Sequence, residues 1–371
     1  GKMSVIIDGT NGITFPDSSQ QYNSYYGFKN RIINGAMVID QRNAGASFTN
    51  SNAAVYGVDR MVTFGLSGAV LTCQQVTDAP NGFSNSFKAT VSTATTANDT
   101  GVFPVQKIEA SNCSDLMWGT STAATITVSF WVKASVTGTY NTSLLFYGPT
   151  TLFYVSTFTV NNANTWEQKS ITITGPTTGG AFSGASNAAY LALYTVTVGS
   201  TGNTSYATAN TWSSSGSLKT SGAVNIGSTL NATLQVTGVQ LEKGSTATSF
   251  DYRPYGTELQ LCMRYFQFSG FAFTGAVESG STTTIAGGQM YQVPMRAAPS
   301  GTANGVQASF RENGGDYQVA SPTLSNFSTS AYGYWTQVGG FTGLTALAPV
   351  FSRNNSASYG NGNFISLSAE L

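Results

Sequence analysis

Histidine is absent from all 371 residues of the chain. Its absence removes the commonest general base at neutral pH, the Ser-His-Asp and Cys-His arrangements, and the imidazole ligands of the usual zinc and iron centres. Charge is also scarce. Asp, Glu, Lys and Arg make up 9% of the sequence, 16 acids against 16 bases, for a formal net charge of zero. A chain without a net field is not steered to polyanions, so neither nucleic acid nor an anionic membrane surface is an expected partner. The three cysteines, Cys73, Cys113 and Cys262, are odd in number and far apart. With no CxxC or CxxxC spacing they indicate neither a metal cluster nor a disulfide framework, and are expected as buried free thiols. No apolar run approaches the ~20 residues of a membrane-spanning helix, so no membrane insertion is expected, and no signal-peptide pattern is present. Walker-type, dinucleotide-binding and EF-hand spacings are missing as well, so no cofactor is expected.

What is abundant is glycine, with 41 residues, together with Ser, Thr and Asn, while aromatics reach 12%. Disordered chains are poor in aromatics and rich in charge, so this composition is that of a folded chain of short strands and polar turns. The expected class is all-β. ATITVSFWVKAS from Ala124 alternates, with Ile126, Val128, Phe130 and Val132 on one face and Trp131 on the other. Further strands are expected over Ser143–Tyr147, Phe153–Val160, Thr165–Thr174, Ala189–Val198 and Ala232–Leu241. CSDLMW at 113–118 fits a helical turn. Thr257 followed by Gln260 fits a capping box at the start of a short helix.

These segments carry a family resemblance. GVQLEKGSTATSFDYRPYGTELQLCMRYF at 238–266 resembles the seam of many bacteriophage tail-fibre and appendage proteins, where a galactose-binding-like jelly roll of the carbohydrate-binding-module type passes into a distal domain. NRIINGAMVIDQRNAGAS at 30–47 and YGVDRM at 56–61 resemble the opening of that jelly roll, and ISLSAEL resembles the way such fibres finish. The resemblance implies an N-terminal shaft or attachment segment over 1–27, a jelly-roll β-sandwich over 28–256, and a second small antiparallel β-sandwich over 257–371. It implies a virion protein, assembled in the host cytoplasm, that adheres to host surface glycans as a homotrimer and meets other tail or baseplate proteins through residues 1–27. A structural Ca²⁺ is compatible with the jelly roll, but no spacing demands it.

Two groups of residues are candidates for ligand contact. Tyr206 and Trp212 stand almost alone in the small polar segment between Val198 and Leu230. Aromatic rings bury the C–H face of a pyranose while nearby amides and hydroxyls take its hydroxyl groups. The same two rings would equally anchor the segment to its own domain or to a neighbouring subunit. The second group is Tyr332, Tyr334 and Trp335, with Arg353, Asn354 and Tyr359 close in sequence. A cell-contacting tip and a trimer interface both favour such residues. Asp40, Arg42, Asp59 and Arg60 are read as structural ion pairs, with a sugar clamp as the alternative. Two rival functions stand beside adhesion: a structural fibre or collar protein serving assembly, and a glycan depolymerase using a carboxylate pair. Several acids sit beside bases, where salt bridging accounts for them, and the chain is expected not to be an enzyme.

Overall fold

The computed structural model describes residues 6–8, 12–14, 20–21, 28–51, 53–64, 68–95, 101–182, 189–198, 206–269, 274–303, 308–312, 315–319, 323–344, 349–352 and 365–370. The protein is all-β; among the described residues there is one short α-helix and every strand pairing is antiparallel. It divides into two compact units, Gly1–Pro254 and Tyr255–Leu371.

The first unit carries β1 (Ile6–Asp8), β2 (Gly12–Thr14), β3 (Gln20–Gln21), β4 (Phe48–Asn50), β5 (Ala54–Tyr56), β6 (Val62–Phe64), β7 (Val70–Val76), β8 (Ser86–Thr93), β9 (Gly101–Glu109), β10 (Ile126–Ala134), β11 (Gly138–Tyr147), β12 (Thr151–Val160), β13 (Glu167–Ile173), β14 (Tyr190–Val198) and β15 (Thr233–Lys243). β1 to β3 form a small sheet of their own. The others make a jelly-roll-type sandwich of two six-stranded sheets, in the orders β13-β10-β15-β8-β7-β4 and β12-β11-β14-β9-β6-β5.

Alternation in β10 puts Ile126, Val128, Phe130 and Val132 wholly inside. Phe130 meets Phe158 edge-on at 5.2 Å, and Phe158 stacks on Tyr140. Polar tips in this core are satisfied: Trp118 Nε1 donates to the Ala124 carbonyl at 2.7 Å and the Tyr140 hydroxyl to the Val136 carbonyl at 2.7 Å. The 113–118 segment does turn, as 3₁₀ turns at Ala110–Asn112 and Ser114–Leu116. Trp131, on the far face of β10, lies over a bulge in the pairing with β15, where Gly238 has φ +62°. A Cβ there would stand 2.7 Å from Phe83 Cζ and 3.1 Å from Trp131 Cδ1, so both backbone and space call for glycine.

β15 enters last and yet sits inside its sheet, between β10 and β8. The 30–34 segment is bonded to its end. Asn30 Nδ2 donates to the Val239 carbonyl at 3.0 Å, and Asn30 Oδ1 accepts from the Leu241 amide at 3.1 Å. Arg253 donates to the carbonyls of Ile32 and Asn30, and Asp251 accepts from the Asn30 amide. The charged opening is likewise internal. Arg42 pairs with the buried Asp59 at 3.7 Å, Arg60 donates to the Lys107 carbonyl at 2.6 Å, and Asp40 accepts from the Asn43 and Gly45 amides of its own turn. All three cysteines are buried.

The second unit begins with helix α1 (Tyr255–Met263). It starts two residues before the Thr257 expected as its cap, directly after Pro254, whose fixed φ and missing N–H suit the edge of a helix. There follow β16 (Phe266–Ser269), β17 (Thr274–Val277), β18 (Thr284–Met290), β19 (Ser300–Ala303), β20 (Ala308–Glu312), β21 (Gly315–Val319), β22 (Thr323–Thr329), β23 (Gly333–Gly339), β24 (Pro349–Ser352) and β25 (Ile365–Ser368). They form a three-stranded sheet, β16-β25-β19, and a seven-stranded sheet, β21-β20-β24-β17-β18-β23-β22. Val277, Ile285, Met295, Tyr334, Val338 and Phe341 form their core with Ile365 and Leu367 of the C-terminal strand. No helix among the described residues is long and apolar enough to cross a membrane.

Candidate ligand groove

An open aromatic surface of the second unit lies on the outer face of the seven-stranded sheet. Along β23, Tyr334, Thr336 and Val338 are buried while Trp335 is exposed. Period-two geometry therefore sends the indole outward and its neighbours inward. The residues opposite Trp335 are Gly288 on β18 and Ser328 on β22. Neither carries bulk, so both flanks of the indole are left open. A Cβ on Gly288 would approach the Tyr334 carbonyl oxygen to 2.2 Å, which reserves that flank for glycine.

A groove of about 630 Å³ follows from this arrangement. Trp335, Tyr332 and Met290 supply its apolar surface and Ser328, opposite the indole, a hydroxyl group; Gln289 and Thr329, the cross-strand partners of the inward-turned Tyr334, complete its rim. Tyr332 and Met290 are strongly exposed, at 63% and 71%. Tyr332 sits on the turn between β22 and β23, and that turn is pinned. The Ser330 amide donates to the Gly333 carbonyl at 2.9 Å, the Ser330 hydroxyl accepts from the Tyr332 and Gly333 amides, and the Tyr291 amide donates to the Tyr332 carbonyl at 2.9 Å. Exposed aromatics on a held backbone lose little freedom when a ligand covers them. None of the described lining residues is an acid, a lysine or an arginine.

The aromatic residues singled out by sequence are used in different ways. Trp335 and Tyr332 come together at the groove. Tyr334 contributes to its wall, but its side chain is turned into the core and stacks on Tyr291 at 6.0 Å. Arg353, Asn354 and Tyr359 lie outside the described residues. Trp212 and Tyr206 belong to the first unit. Trp212 packs edge-on against Trp118 at 5.3 Å and against Tyr154 at 5.1 Å, and its Nε1 donates to the Thr174 carbonyl at 2.8 Å. Its segment is not a free loop. Ser213 exchanges backbone hydrogen bonds with Phe153, the Asn210 amide donates to the Val155 carbonyl, and the Ser143 hydroxyl donates to the Leu218 carbonyl. Tyr206 is exposed on one side and takes the Lys219 ammonium at 5.2 Å from its ring centre. Burial lowers the pKa of that lysine, the one charged side chain between Ile171 and Leu241.

Sequence reasoning did not single out Met290, Gln289, Ser328 or Thr329. Their only cue is alternation at the ends of β18 and β22, which becomes informative once the register with β23 is known. The sandwich also carries an unanticipated aromatic pair, Tyr147 stacked on Tyr190 at 4.9 Å, with Lys107 over the Tyr190 ring. Among the described residues no group of three or more His, Cys, Asp or Glu could hold a metal ion.

No protein-family model matches the chain, and no curated protein matches it. Among solved structures, similarity is found to the enzymatically active domain of tailspike protein 4 of bacteriophage CBA120, at 14% identity and TM-score 0.30 over 58% of this chain. The chain spans 22% of the length of that structure. A putative sugar-binding protein from Bacteroides thetaiotaomicron is similar at 13% identity and TM-score 0.31, over 58% of this chain and 100% of the other. A tandem pair of CBM22 domains from Paenibacillus barcinonensis is similar at 7% identity and TM-score 0.29, over 94% and 97% of the two chains. At such TM-scores these similarities assign no function.

Proposed function

We propose that this chain is a bacteriophage fibre protein that adheres to host-surface glycans by multivalent, non-catalytic binding. The observation that carries the reading is the groove around Trp335: an outward indole with open flanks, a second exposed aromatic on a pinned turn, and a described lining that is otherwise small or polar and uncharged. That combination suits a sugar, which presents an apolar C–H face to a ring and hydroxyl groups to its neighbours. Hydrolysis of a glycosidic bond calls for two carboxyl groups flanking it, and the described lining of the groove offers none. The motifs at 30–47, 56–61 and 238–266 support a virion setting.

The proposed working form is a homotrimer carried on the virion, with residues 1–27 toward the other tail proteins. β1 to β3 are three, three and two residues long, too short to bury a core of their own, and such strands gain stability from partners. Three tethered copies make the second and third sugar contacts intramolecular and raise avidity by roughly 10²–10⁴. The test is a glycan array probed with the full chain, with light scattering on the same sample. A trimer that binds a discrete set of glycans, and loses them in Trp335→Ala while keeping its mass, is the expected result. A trimer that binds no glycan and does not adsorb to host cells would favour a purely structural fibre component. A monomer would refute the trimer.

A further inference from the structure

The outer face of the seven-stranded sheet continues past the groove. Two residues beyond Trp335 on β23, roughly 7 Å further along the strand, lies Gln337, whose cross-strand neighbours are Ala286 on β18 and Ser325 on β22. The Ser325 hydroxyl donates to Gln337 Oε1 at 3.3 Å, and Gln337 Nε2 donates to Glu278 Oε1. The amide is thus held from both sides. Glu278 is half-buried, its amide donates to the Thr284 carbonyl at 3.1 Å, and no lysine or arginine pairs with it among the described residues. A platform whose described lining is uncharged is therefore followed, about one sugar ring further along β23, by a fixed amide with the Glu278 carboxylate on its far side.

Resting on the glycan reading of the groove, we propose that the site takes neutral oligosaccharides of at least two sugar units and rejects acidic ones, with Glu278 as the specificity-determining residue. One sugar stacks on Trp335. Hydroxyl groups of the next donate to Glu278, whose carboxylate is an acceptor only, and exchange hydrogen bonds with Gln337 and Ser325. A uronate, sialate or sulfate at that position would bring a second negative charge beside a carboxylate with which no described lysine or arginine pairs. The neighbouring glycine and alanine positions, Gly288 and Ala286, leave the strip between the two subsites free of side-chain bulk. Discrimination by an unfavourable charge needs no additional favourable contact to the preferred ligand.

The test uses the full chain on an array of matched glycan pairs, each a neutral oligosaccharide and the same sugar bearing a uronate, sialate or sulfate. The expected result is about tenfold weaker binding of the acidic member, shrinking as salt is raised, since a half-exposed charge is screened. Glu278→Gln keeps an acceptor for Gln337 and removes the charge, so the ratio should fall toward one. Binding to the neutral members of di- and trisaccharide pairs should exceed that of the monosaccharide. Equal or tighter binding of the acidic members by the unaltered protein overturns the inference, as does a ratio that Glu278→Gln leaves unchanged. Absence of binding to any glycan overturns the groove reading itself, a result distinct from binding without preference.

Discussion

Replacing Trp335 with alanine should weaken binding of a soluble monovalent oligosaccharide by about 30-fold while leaving the fold in place. The indole is 43% exposed. An aromatic side chain of this size presents up to about 250 Å² in full, so roughly 100 Å² of it faces solvent. Full coverage at ~25 cal/mol per Å² is worth roughly 2.5 kcal/mol, and a sugar ring covering most of the exposed face about 2 kcal/mol. With a factor of ten per 1.4 kcal/mol, that is a loss of about 30-fold. The cost to folding is moderate: Gly288 and Ser328 beside the indole carry little bulk, but somewhat more than half of the side chain is covered, and losing that contact should cost the second unit roughly 1–3 kcal/mol. Isothermal titration with an oligosaccharide selected from the array reads the affinity, and calorimetric unfolding reads the stability. A monovalent affinity within threefold of the unaltered protein would refute the groove as the site. A fall in melting temperature large enough to unfold the second unit would refute the placement of the indole on its outer face.

The other expectations concern stability and reactivity. Trp212→Ala should cost about 2–4 kcal/mol in the first unit, near the range for large-to-small core changes, and leave affinity at the groove unchanged; denaturant titration alongside glycan binding separates the two tryptophans. Gly238→Ala should destabilise by about 1–3 kcal/mol, since left-handed backbone and a crowded Cβ act together, measured as a lower urea midpoint. Burial pushes the Cys73 and Cys113 thiols up to about 12, and Cys262 is fully buried, so a thiol reagent should leave the native protein unlabelled at neutral pH and reach three sites after unfolding. Burial would raise the Glu167 carboxyl, but Lys169 and the Asn162 and Asn161 amides outweigh it and hold the pKa at about 2, against an ordinary 4.5. A depressed folded-state pKa stabilises above the unfolded value and is lost as pH falls from about 4.5 toward 2. Glu167→Gln should therefore lower stability at pH 7 and flatten the acid limb of the stability profile in that window.

The primary structure alone determined the class of this protein. Scarce charge, frequent aromatics and alternating runs such as ITVSFWVKA leave short strands with buried faces as the stable form, and the observed β10 to β15 lie where those runs lie. The absence of histidine and of clustered cysteines is likewise a property of composition, and it narrowed the chemistry before any contact was known. Tertiary structure decided which aromatics are free. Trp212 stands among small polar residues and Trp335 beside two tyrosines, and neither local pattern tells whether the indole is packed or open. Trp212 meets Trp118 and Tyr154, from 94 and 58 positions away, whereas Trp335 meets a glycine and a serine across two strands. Long-range pairing also set the fate of the charges: Asp59 and Arg60 became buried partners of turns and carbonyls, while Glu278 came to stand beside Gln337, which lies 59 positions along the chain. Alternation tells which side of a strand a residue takes, but only the register between strands tells what lies beside it, and that neighbour decides whether a ring packs or remains open to a ligand.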